Sequence, residues 1–158
     1  MKFFKSERGQ SLVELGISML ILLYLLAGAA EFGVLFFQFV QLRDAAQEGA
    51  LYGAINPSNT TEIIKRIKFS SNSPLKLQNL IDSGEVTVSI DINGIPHTDS
   101  ANYLTVDCEG NGIQVTVGYK HKIFMPFIAQ LIGRSADPTI PLNARVTDTI
   151  LQPVQCIP

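Results

Sequence analysis

The sequence predicts an α+β protein: a long N-terminal transmembrane helix continuing into a small domain with a three- to four-stranded antiparallel sheet and short helices. Three observations lead there. Leu12 to Val40 is apolar and its only acidic or basic residues are Glu14 and Glu31. No proline interrupts the chain before Pro57. From Val86 onward, stretches of apolar residues alternate with polar ones, the period of a half-buried strand.

The helix comes first. A bilayer span needs about 20 apolar residues, and Leu12 to Val40 exceeds that. Helix-compatible residues then persist through Gln41, Leu42, Arg43, Asp44, Ala45, Ala46, Gln47 and Glu48. A continuous helix from Ser11 to Ala54 would be about 65 Å long at 1.5 Å per residue. That is about twice the hydrocarbon thickness, so the C-terminal half must leave the bilayer. The competing reading is a removable secretory signal ending at Ala27-Gly28-Ala29-Ala30. Its apolar run would be too long, because a signal core spans about 7–15 residues. The chain therefore divides into a basic leader (1–9), a membrane-spanning and extended helix (10–55) and an extracytoplasmic α+β domain (56–158). Lys2, Lys5 and Arg8 precede the span, whereas Arg43 beyond it is offset by Asp44 and Glu48. The excess of positive charge puts the N-terminus in the cytoplasm and the domain outside.

Ala45, Gly49 and Gly53 fall on one helical stripe, with Ala46, Ala50 and Ala54 beside it. Small residues let another backbone approach closely. The stripe is expected to lie against the sheet of the outer domain, with a subunit contact as the alternative. Asn56-Pro57-Ser58-Asn59 ends the helix. A short helix follows over Thr61 to Phe69, with Ile63, Ile64 and Ile67 on one face, and a second over Pro74 to Asp82. Lys65, Arg66 and Lys68 read as a solvated face.

Val86, Val88, Ile90 and Ile92 alternate with Thr87, Ser89 and Asp91 as a strand. Asn93-Gly94 is a strong hairpin signal, but Pro96 argues against a regular return strand. A wider loop over Ile95 to Asn102 is expected, with pairing resumed over Tyr103 to Cys108. Ile113, Val115, Val117, Tyr119 and His121 share one face of the next strand, and a last strand covers Ile140 to Leu151. Between them, Phe124, Phe127, Ile128, Leu131 and Ile132 form an apolar connection. Burial in the core is the expectation; dipping into a membrane surface or touching a neighbour is the alternative.

Cys108 and Cys156 are the two cysteines. Outside the cytoplasm a disulfide can persist, and their bridge would close a loop of about 48 residues, worth about 4 kcal/mol. Two separate thiols are the alternative. Neither lies at metal-ligand spacing, and neither a metal nor a cofactor is expected. Net charge is -2, which offers no basic field for nucleic acid. An enzyme is not expected. His97 and His121 lack a surrounding motif, His121 reading as a plain strand residue, and neither a phosphate loop nor a nucleophile elbow is present.

The two membrane carboxylates carry the functional reading, since an acid inside a span marks function or a specific partner by default. Glu14 is the fifth residue after Gly9, behind a short basic leader. This arrangement resembles the type IV prepilin processing motif. The resemblance implies a cut after Gly9 by a prepilin peptidase, freeing the amine of Gln10. Gln10 and Glu14 are four residues apart and share a helix face. In pilins such a glutamate is thought to pair with the terminal amine of a neighbouring subunit. Solvation at the interface is the simpler reading of Glu14.

Glu7-Arg8-Gly9-Gln10-Ser11-Leu12-Val13-Glu14, Gly28-Ala29-Ala30-Glu31-Phe32-Gly33, Phe36-Phe37 and the stretch Val40 to Ala54 together resemble the TadE-like family of tight-adherence (Tad) pilus systems. The resemblance implies a minor pilin or pseudopilin with a pilin-like domain. Its partners would be other pilin subunits, the prepilin peptidase, the inner-membrane assembly platform and the lipid bilayer. Two departures stand out. Leu15 follows the glutamate where processed members often carry an aromatic, and Gln10 replaces the phenylalanine typical of major pilins. Glu31, about 26 Å up the helix from Glu14, either marks where the helix surfaces or meets a basic group on another subunit. The alternative function is an uncleaved single-pass envelope protein whose outer domain binds a ligand, adhesion target or complex partner.

Overall fold

The computed structural model describes residues 7–70, 75–97, 108–131, 133 and 136–151. Helix α1 runs unbroken over Glu7–Ile55, 49 residues. It ends where Pro57 forbids another turn, after Asn56 N donates to Tyr52 O at 2.9 Å. Helix α2, Thr60–Phe69, is capped by Asn59, whose side chain accepts from Glu62 N at 3.0 Å. The short α3 spans Leu77–Asp82, and Lys68 of α2 reaches Asp82 at 2.6 Å.

Four strands follow, β1 (Val86–Ile92), β2 (Ile95–Pro96), β3 (Gly112–Lys122) and β4 (Thr139–Thr149), with a short helix α4 (Pro126–Leu131) between the last two. All neighbours in the order β2-β1-β3-β4 are antiparallel. The protein is α+β, a long apolar helix followed by a small antiparallel sheet and short helices.

The expected wide loop after Asn93-Gly94 is corrected by a tight hairpin. Asn93 has φ 51° and Gly94 φ 79°, the two positive values of a type I′ turn. Ile92 faces Ile95, and Asp91 faces Pro96. Pro96 is tolerated because β2 is an edge strand two residues long. Immediately after it, His97 N still donates to Ile90 O at 2.8 Å. The pairing expected over Tyr103 to Cys108 lies outside the described residues up to position 107.

The core forms where α1 and α2 cover one face of the sheet. Leu42, Ala45, Ala46, Ala50 and Ala54 of α1 meet Ile63 and Ile67 of α2 and Ile92, Ile113, Val115 and Val117 of the sheet. Helix α1 and β3 run in opposite directions. An added Cβ at Gly53 would lie 2.5 Å from Ile113 Cδ1, one at Gly49 would lie 3.6 Å from Val115 Cγ1, and Gln38 and Glu31 reach His121. The Lys122 end of the sheet therefore faces the apolar half of α1. Of the connection expected to be buried, Phe124 is 88% exposed, just beyond the end of β3, whereas Ile128 is half-buried and Ala129 buried; the side chains of Phe127, Leu131 and Ile132 lie outside those described.

Candidate functional site

The covered positions of α1 begin half-buried at Ala27 and Gly28, are first fully buried at Glu31 and recur at Leu35, Gln38, Phe39, Leu42, Ala45, Ala46, Gly49, Ala50, Gly53 and Ala54. This is the three-to-four spacing of a helix with one buried face. From Gly9 to Leu26 every residue is exposed. One helix thus has two regimes, docked above Glu31 and bare below Ala27.

Glu31 sits at the changeover and is 6% exposed. Its Oε1 lies 2.9 Å from His121 Nε2 and accepts from Phe124 N at 3.0 Å. His121, 4% exposed, places Nδ1 2.6 Å from Gln38 Oε1. As Gln38 is oriented, both ring nitrogens face acceptors, the arrangement of an imidazolium. Turning the Gln38 amide over gives the neutral ring with its proton on Nε2. Either way Nε2–H donates to the Glu31 carboxylate, and every member of the group has a partner. Hydrogen bonding of this kind lets polar groups be buried. The partner considered for Glu31 was a basic group on another subunit; the structure supplies His121 of the same chain. His121, read from sequence as a plain strand residue, closes this group.

The small-residue stripe is where α1 approaches its neighbours most closely. A Cβ added at Gly49 would stand 2.6 Å from Ile67 Cγ1, and one at Gly53 2.5 Å from Ile113 Cδ1. Ala45 is buried in the same core. The stripe therefore faces α2 and the sheet.

Gly9, Gln10 and Glu14 are exposed on the bare half. The structure does not bring them near Glu31. At 1.5 Å per residue, Glu14 and Glu31 stand about 26 Å apart along α1. Cys108 is engaged in a disulfide; Cys156 lies outside the described residues. Among the described residues no cluster of histidine, cysteine, aspartate and glutamate could hold a metal ion.

Among those residues, one helix is long and apolar enough to cross a membrane, Gly9–Ile55. Residues 9–51 match the family model of the TadE-like protein. This stretch of α1 is similar to the TadE-like family. The TadE-like segment includes Glu14, Glu31 and Gly49, so both carboxylates and much of the docked face belong to the matched stretch. It ends before Gly53 and excludes the sheet. No curated protein and no solved structure matches the chain. The TadE-like match suggests a Tad pilus-associated protein, a structural rather than an enzymatic class, and a single apolar N-terminal helix is consistent with a membrane anchor.

Proposed function

We propose that the chain is a minor pilin or pseudopilin of a Tad pilus, a structural subunit for assembly, initiation or the tip. It is processed after Gly9 by a prepilin peptidase. The observation that carries this reading is the bare half of α1. An all-round apolar helix is stable only when surrounded by lipid or by other apolar helices. Gly9 to Leu26 is exposed at every position. A subunit that moves from bilayer to fibre needs such a segment, because it exchanges one apolar surrounding for another.

In this reading the N-terminus is cytoplasmic and the domain extracytoplasmic. Glu14 pairs with the Gln10 amine of an adjacent subunit and sets the axial register, since an unpaired carboxylate in hydrocarbon is expensive. The assembly platform receives the processed helix. Glu31 does not form a bond between subunits; it fixes the angle at which the domain leaves the helix. The pairing of Cys108 with Cys156 would fasten the C-terminal tail of the domain.

A second reading is favoured by Gln10. It stands where major type IV pilins carry phenylalanine after the cut, a departure that favours an uncleaved single-pass protein whose outer domain binds a ligand, adhesion target or complex partner.

Sheared surface fibres and washed membranes from cells producing either the native chain or Glu14→Ala separate the two. The pilin reading expects native protein in the fibre fraction and Glu14→Ala retained in the membrane. A protein confined to the membrane in both cases supports the anchored reading.

A further inference from the structure

We propose that the groove between α1 and the β3–α4 connection seats an acyl chain of an outer-leaflet phospholipid. The proposal rests on the membrane-spanning reading of α1, not on pilus assembly. Ala30 and Val34 form one wall and Phe124 and Met125 the other, enclosing an open cavity of about 550 Å³. Glu31 and His121 also border it, but they hydrogen-bond each other and Phe124 N. They need nothing from an occupant, so the groove offers mainly apolar contact.

Its level decides the occupant. Counting from Leu12 at 1.5 Å per residue, Ala30 stands about 27 Å and Val34 about 33 Å along α1. The hydrocarbon core is about 30 Å thick, so the groove straddles its outer boundary. Phe124 is held at this level by the bond from its own N–H to Glu31. Phe124 is 88% exposed at the end of the chain's folded domain that faces the membrane in this reading. On α1, Phe32 and Phe36 stack with centroids 6.3 Å apart on the helix face turned away from the groove and are likewise exposed, so apolar surface surrounds α1 at this level. Lys122, exposed and lining the same groove, is placed for a headgroup phosphate. A cation on an apolar stem beside an aromatic ring suits the boundary between hydrocarbon and headgroup.

The sequence contains no tryptophan, so Phe124→Trp would be a sole reporter. The full chain carrying it is placed in vesicles of phosphatidylethanolamine and phosphatidylglycerol, with and without bromine on the acyl chains. Leu22→Trp, in mid-span, reports insertion itself. Quenching of both tryptophans by brominated lipid, independent of the protein-to-lipid ratio, is the expected result. Weakened quenching of Phe124→Trp when Lys122→Glu is added is also expected. Quenching of Leu22→Trp alone, with Phe124→Trp open to aqueous iodide, overturns the lipid seat and leaves the span intact. Protection of Phe124→Trp that grows with protein density assigns the groove to another copy and overturns it too. Failure of Leu22→Trp to be quenched overturns the membrane reading beneath it.

Discussion

Glu31 and His121 are ninety residues apart in sequence and 2.9 Å apart in space, both buried, at the point where α1 passes from bare to docked. The pair joins the helix to the Lys122 end of β3. With Gln38 on the other ring nitrogen and Phe124 N on the carboxylate, it holds three segments together. Below this point α1 is exposed; above it the helix is part of the domain.

Removing one partner of a buried pair takes a hydrogen bond from the other, which costs about 1–3 kcal/mol. His121→Ala and Glu31→Ala should each lower stability on that scale. The double variant should lose less than the sum of the two, because the Glu31–His121 contact is shared by both changes and is lost only once. Denaturant midpoints of the full chain in one detergent would measure all four corners of the cycle. Additive losses would mean that the pair is not coupled.

The glycine stripe makes a contrast within one helix. Gly49→Ala and Gly53→Ala would each push a Cβ to within 2.6 Å of an isoleucine carbon, whereas Gly33→Ala meets nothing within 4 Å. Overpacking of a core typically costs about 1–3 kcal/mol. Thermal unfolding should therefore be lowered by the first two changes and not by the third. Equal behaviour of all three would place the close approach somewhere other than α2 and β3.

Cys108 is in a disulfide. If Cys156 is its partner, reduction opens a loop of about 48 residues and should cost about 4 kcal/mol in the chain-entropy model. Peptide mapping without reductant identifies the pair, and denaturant curves with and without reductant give the cost. An unchanged midpoint would assign the bridge no part in holding the domain.

The Tyr119 phenol is raised above its ordinary value, first by burial and then by the negative charge of Glu85. Folding therefore favours the neutral phenol. Its contribution to stability is complete below the unfolded value of about 10 and is lost as pH rises through the higher folded value. Spectrophotometric titration should show a late phenol step, and Tyr119→Phe should remove that step. Glu85→Gln should bring it earlier.

Much of the architecture was readable from local pattern. The uncharged run set α1, the alternation from Val86 to Ile92 set β1, and the set Ile113, Val115, Val117, Tyr119 and His121 does share one face of β3. What local pattern could not supply was the docking direction of α1 on β3, and the clasp depends on it. A signal existed. His121 ends a row of residues facing the core, and a polar side chain on a buried face requires a partner. Pro96 misled because its missing donor argues against a central strand but not an edge strand. Phe124 misled because its hydrophobicity says that it avoids water, not whether protein or lipid covers it. The processing sequence at Gly9 depends on an encounter with another protein and leaves no mark on the fold of the chain.

The central claim is that α1 is released from its leader and handed from bilayer to fibre. The N-terminal mass of the protein from native membranes, with and without the cognate prepilin peptidase, tests it most directly. A peptidase-dependent start at Gln10, as the free or cyclised residue, is the predicted result. An intact Met1 in both cells, or a start near Glu31, would contradict it.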